Sequence, residues 1–158
     1  MQEKILVPLD GSKVGESALH NVEVFLSKLA PEVEVEITLL QVLRRVLPYA
    51  IGGYGVADIE YTIPETEEMK KRALEYLNKV GEFLRDKGAM IIVRAEVGNA
   101  SEEILRVADE IEADLIAMST HGRSGFSRWA FGSVTSKVLR QGTKIPVLIV
   151  RAPEPERV

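Results

Sequence analysis

The sequence predicts a doubly wound α/β domain, a five-stranded parallel sheet in the order 3-2-1-4-5 with helices on both faces. Three observations carry that class. Short apolar runs alternate along the chain with longer segments in which apolar residues recur every three or four positions, the signatures of strands and amphipathic helices in turn. The runs at 4–9, 115–118 and 147–150 are apolar almost throughout, as strands covered on both faces are. Glycine, proline or a capping residue punctuates the joints.

Taken in order, residues 4–9 form the first strand, which ends in the sharp turn Pro8-Leu9-Asp10-Gly11 and leaves Asp10 at its carboxyl end. Ser12 or Gly11 opens the next helix, in which Leu19, Val22, Leu26 and Leu29 share one face until Pro31 closes it, with an end expected near residue 30. Residues 33–39 alternate strictly and then become continuously apolar at Leu40 and Val42, so the second strand starts near solvent and ends buried. Residues 44–64 break all periodicity, with Pro48, Gly52, Gly53 and Gly55 set among Tyr49, Ile51, Tyr54 and Tyr61. A long irregular loop is expected there, either an ordered cover or interface or a mobile segment. Gly53-Tyr54-Gly55 has neither the preceding strand nor the third glycine of a dinucleotide fingerprint.

From 65 to 86, Met69, Ala73, Tyr76, Leu77, Val80 and Leu84 mark a long amphipathic helix that stops near Lys87-Gly88. The third strand follows at 90–97. Asn99 with Glu102, or Ser101 as the alternative cap, opens a helix whose apolar face is Ile104, Ala108 and Ile111. The fourth strand ends at Met118, the last helix runs from Gly132 to about residue 141, and the fifth strand is 147–150. Residues 1–152 make one domain and 153–158 a frayed tail.

Composition excludes several classes of function. A formal charge of −4 argues against nucleic acid or an anionic membrane as the main partner, since both call for net positive surface. The chain has no cysteine, which removes disulfides, thiolate metal sites and a cysteine nucleophile, and its imidazoles are confined to His20 and His121. No apolar run approaches the roughly 18 residues that span a bilayer. Met1-Gln2-Glu3-Lys4 leads straight into a strand, unlike a signal peptide, so a cytoplasmic protein is expected.

The stretch from 118 to 135 departs from this background. Its order is strand, glycine-bearing loop, helix. Gly122, Gly125 and Gly132 let backbone approach a ligand closely, while Ser133 and Thr135 place hydroxyls beside the unpaired N–H groups of a helix's first turn. Such a place suits a phosphate. From 115 to 153 there is no acidic residue, whereas Arg123, Arg128, Lys137, Arg140, Lys144 and Arg151 supply positive charge. In a sheet of order 3-2-1-4-5 the winding reverses between the first and fourth strands, where ligands bind outside the carboxyl ends, so Asp10 and this loop face each other. Each feature has a plainer reading. The glycines serve turns, Ser133 caps its helix and Asp10 bonds its own turn.

The segments I-L-V-P-L-D-G-S at 5–12, S-T-H-G, nine residues, then G-S-V-T at 119–135, and I-P-V-L-I-V at 145–150 together resemble the universal stress protein family across the whole chain. The resemblance implies an α/β fold of the adenine-nucleotide alpha-hydrolase type. In nucleotide-binding members a G-x-x-G, nine residues, G-S/T motif holds the phosphates and ribose of ATP. Carried across, Gly122, Gly132 and Ser133 occupy its second glycine, third glycine and hydroxyl, while Ser119 replaces the first glycine. The resemblance maps adenosine contacts to Pro8, Asp10 and Val42. The implied ATP site also takes in Met118, Thr120, His121, Ser124, Gly125, Val134 and Thr135, with Arg123 as a γ-phosphate contact and Mg²⁺ or Mn²⁺ carried by the phosphates. It further implies a homodimer through the fifth strand, between Pro146 and Val150, whose unpaired edge invites a second copy.

Catalysis has less support in the residues than binding. There is no P-loop, and Gly122-Arg123-Ser124-Gly125 misses a hydrolase nucleophile elbow by one position. Slow ATP hydrolysis would need a divalent metal and an activated water, with only Asp10 to arrange either. No dedicated metal cluster is present in the pattern. Three readings stand: a regulatory ATP-binding module with slow or no turnover, a nucleotide-free dimeric adaptor, and a small hydrolase or nucleotide-transfer enzyme that could draw on Ser119, His121 and Asp10.

Overall fold

The computed structural model describes residues 2–51, 55–120 and 132–152. Strands β1 (Gln2–Pro8), β2 (Glu34–Leu43), β5 (Met90–Val97), β6 (Leu115–Thr120) and β7 (Val147–Arg151) form one sheet in the order β5-β2-β1-β6-β7. All neighbouring pairs are parallel, which is the predicted 3-2-1-4-5 winding. Helices α1 (Lys13–Leu26), α2 (Ile63–Asp86), α3 (Ala100–Glu110) and α4 (Ser133–Gln141) cover its two faces.

Alternation along the strands sorts the side chains into two cores. Ile5, Val7, Ile37 and Leu39 share one core with Leu19 and Val22 of α1 and with Leu77 and Leu84 of α2. Leu6, Leu40, Ile116 and Met118 share the other with Ile104 and Val107 of α3 and Val138 of α4. The central β1 is covered on both sides, and Ile5, Leu6 and Val7 are at most 1% exposed, each burial contributing about 1.5–3 kcal/mol. A close approach fixes α2 on the sheet. A Cβ at Gly81 would stand 2.9 Å from Leu39 Cδ1 and 3.1 Å from Ile91 Cγ2, so the absent side chain lets the helix seat deeply.

The helix ends refine the sequence reading. Ser12 is the N-cap of α1, its hydroxyl accepting from the Gly15 N–H, and the chain turns into it through Gly11 at φ +83°. The helix ends at Leu26, short of residue 30, because Lys28 and Leu29 donate to carbonyls three residues back and tighten the last turn. Thr62 and Glu65 form a reciprocal capping box on α2, which therefore begins two residues before the expected start. Asn99 caps α3 by accepting from the backbone and hydroxyl of Ser101, so the two candidate caps act together.

The expectation of an irregular loop over 44–64 is corrected. β3 (Val46–Ile51) and β4 (Gly55–Glu60) pair antiparallel in a separate two-stranded sheet, with Val46 opposite Glu60 and Ile51 opposite Gly55. Pro48 is tolerated because a two-stranded ribbon has free edges on both sides. Among the described residues no helix is long and apolar enough to cross a membrane. The tail at 153–158 lies outside the described residues.

Candidate functional site

β1, β2 and β6 end at the same edge of the sheet, and a cleft of about 200 Å³ opens there. Its floor is apolar, made by Leu40 and Val42 of β2, Ile104 of α3, Met118 of β6 and Val134 of α4. Pro8, Asp10, Ser119, Gly132, Ser133 and Thr135 line it as well. Nine of the site residues expected from the sequence thus meet around one space. His121, Gly122, Arg123, Ser124 and Gly125 lie outside the described residues.

The wall at β1 is a compact turn. Leu9 donates its N–H to the Leu40 carbonyl at 2.8 Å, which holds the end of β1 against β2. Asp10 is exposed, and its Oδ1 accepts from the Ser12 N–H at 2.9 Å and the Ser12 hydroxyl at 2.6 Å. Asp10 is therefore a turn residue in part, and among the described residues nothing bonds its Oδ2.

The opposite wall is β6 and the start of α4. Thr120 is 8% exposed, and its Oγ1 accepts the Gly132 N–H at 3.2 Å. That bond ties together the two ends of the segment running from β6 to α4. The Thr120 carbonyl accepts from the Ala152 N–H at 3.1 Å, anchoring the same residue to the end of β7. Ser119 Oγ donates to the Gly15 carbonyl of α1 at 3.2 Å. The serine at the expected glycine position thus makes a cross-wall bond.

The beginning of α4 differs from the other three helix starts. Ser12, Thr62 and Asn99 each cap their helices with a side-chain oxygen, and each helix carries a glutamate in its first turn. α4 has Gly132 as its N-cap, with no side-chain cap bond and no acidic residue in the first turn. Ser133 does not cap it, which removes that plainer reading. Among the described residues no side chain caps these N–H groups, and they and the positive end of the helix dipole meet the cleft where Ser133, Val134 and Thr135 line it. Such an end attracts an anion.

Sequence reasoning missed Leu9, Val14, Gly15, Leu40, Ala100 and Ile104 as lining residues. Leu40 and Ile104 read as core in any pattern analysis, and at a sheet edge the core continues into the cleft floor. Gly15 gave no signal, since a lone glycine in a helical pattern carries no direction. Among the described residues no group of three or more His, Cys, Asp or Glu is placed to hold a metal ion. Ser119 is engaged with Gly15 and Asp10 Oδ1 with Ser12, while the third member of a Ser-His-Asp arrangement, His121, lies outside the described residues.

Comparison with known proteins accords with this fold. Universal stress protein MJ0577 of Methanocaldococcus jannaschii is 32% identical to the chain over 160 residues, covering 96% of each. The solved structure of MJ0577 superposes with a TM-score of 0.71 at 24% identity, over 97% of this chain and 98% of that one. A universal stress protein solved in complex with cAMP gives 0.59 at 22% identity, over 94% of this chain and 96% of that one. A family member from Arabidopsis thaliana with AMP bound gives 0.60 at 16% identity, over 98% and 94%. The model of the universal stress protein family matches residues 1–151, and the chain belongs to that family.

Proposed function

We propose that the chain binds ATP in this cleft and acts as a regulatory module of the stress response, with slow or no hydrolysis. Adenosine lies over Pro8 and Val42 beside Asp10, and the phosphates, carrying Mg²⁺ or Mn²⁺, reach the start of α4. The observation that carries this reading is the N-terminus of α4, which lacks a side-chain cap and a first-turn acid where it borders the cleft. The apolar floor of Leu40, Val42, Ile104 and Met118 supports a flat base above it. Family members with cAMP and AMP bound, sharing this fold, add support for an adenine nucleotide.

The protein works in the cytoplasm as a homodimer. β7 lies at the edge of the main sheet with its apolar residues 147–149 only partly buried, which supports pairing with a second copy along that strand. Calorimetric titration of ATP with Mg²⁺ into the purified protein, after any co-purified nucleotide has been identified by mass, tests the binding. Saturable one-site binding is expected, and absence of both bound nucleotide and a titration signal refutes it. Sedimentation equilibrium at micromolar concentration tests assembly, and a monomer there refutes the dimer.

A further inference from the structure

The two walls of the cleft are joined by a chain of hydrogen bonds through one residue of α1. Ser119 Oγ, on the β6 wall, donates to the Gly15 carbonyl at 3.2 Å. The Gly15 N–H donates to Ser12 Oγ at 3.0 Å, and the Ser12 hydroxyl donates to Asp10 Oδ1 at 2.6 Å, on the β1 wall. Gly15 is also buried, and a Cβ built on it would stand 2.7 Å from Asp10 Oδ1 and 3.4 Å from Ser12 Oγ. The first distance is shorter than carbon and oxygen tolerate, so any side chain at position 15 must displace the carboxylate. That oxygen is not free to swing, because two bonds from Ser12 hold it.

A glycine within the first turn of a helix is otherwise a poor choice, since alanine is the stronger helix former. The clash with Asp10 accounts for it. Asp10 is exposed, and an exposed aspartate held at one end only would sample several rotamers. We propose that Gly15 and Ser119 are positioning residues that together fix the Asp10 carboxylate at the mouth of the cleft, Ser119 by holding the α1 backbone and Gly15 by leaving room. The consequence for ligand affinity rests on the ATP reading above. The positioning itself does not.

The test is a set of double-mutant cycles read both without and with ligand. Without nucleotide, Gly15→Ala is expected to lower the thermal midpoint in the wild-type background and to raise it in Asp10→Ala, where the clash is gone and only helix propensity remains. Ser119→Ala is expected to speed amide exchange of Ser12 about threefold to tenfold, the loss of one ordinary hydrogen bond, and to have no further effect in Asp10→Ala. With ATP and Mg²⁺, each single variant is expected to weaken binding by about threefold to tenfold. Neither change is expected to alter the residual affinity of Asp10→Ala by more than about twofold. Penalties of Gly15→Ala and Ser119→Ala that persist unchanged in Asp10→Ala mean that both residues only pack α1 on β6, which overturns the proposal. Coupling present in the ligand-free measurements, in a protein that binds no ATP, upholds the positioning and refutes the ATP reading instead.

Discussion

Thr120→Val removes one oxygen and nothing else of consequence, because valine matches threonine in shape and β-branching and suits a strand equally well. The lost oxygen is the acceptor of the Gly132 N–H, 3.2 Å away, at a residue that is 8% exposed. A fully buried donor left without its partner costs about 1–3 kcal/mol, and Gly132 is half-buried, so its cost lies toward the lower part of that range. The donor can recover part of this by turning toward water, which moves Gly132 and with it the first turn of α4. The expected loss of stability is thus about 1–2 kcal/mol in urea denaturation. For a phosphate that relies on the N–H groups of that turn, a comparable loss of alignment weakens ATP binding about 5–30-fold, at 1.4 kcal/mol per factor of ten. Calorimetric titration and amide exchange at Gly132 are the assays. A variant that binds ATP as the wild type does, with the Gly132 amide still protected, refutes the idea that Thr120 sets the start of α4.

Gly132 has φ −57° and ψ 158°, a conformation open to any residue, so Gly132→Val should fold. Its branched side chain crowds the phosphate end, and a loss of ATP affinity of 100-fold or more is expected, equal to about 2.8 kcal/mol or more at 1.4 kcal/mol per decade; unchanged affinity would place the phosphates elsewhere. Gly81→Ala sets the crowding of Leu39 and Ile91 against a gain in helix propensity, roughly 2 kcal/mol against 1, so urea denaturation should show a loss near 1 kcal/mol. An increase in stability would mean that α2 is not seated as described. Bonds from the Thr62 backbone and hydroxyl hold the Glu65 carboxyl below its ordinary value of 4.5, and Arg94 does the same for Glu110. Depressed carboxyl values contribute stability above the unfolded value that is lost as pH falls through the folded one. The denaturation midpoint should therefore hold from neutral pH to about 4.5 and decline below it, and Glu65→Gln should flatten part of that decline.

The sheet order was legible because its strands state their burial. Residues 5–7 are apolar without interruption, and they occupy the centre of the sheet. The cleft could be located from the ends of β1 and β6, since a reversal of winding is a property of strand order alone. The hairpin at 46–60 was not legible for a local reason. Pro48 and the glycines are strand breakers in a covered sheet, and a two-stranded ribbon imposes no such condition. The pair Gly52-Gly53 between apolar segments was the available hairpin signal. The role of Gly15 was hidden for a different reason. Its meaning lies in an atom of Asp10 five positions earlier that only the turned backbone brings beside it.

The bare start of α4 bears on folding as well as on ligand. Three helices of this fold carry their own terminal oxygen in the sequence, and the fourth has no side-chain cap among the described residues where it borders the cleft. On the ATP reading proposed above, a bound anion completes the helix, and the concentration of the nucleotide enters the stability of the fold. At a hundred times its dissociation constant a ligand adds about 2.7 kcal/mol to unfolding. On that reading a cell whose nucleotide pool collapsed would lower the stability of this protein, so the fold itself would register the pool.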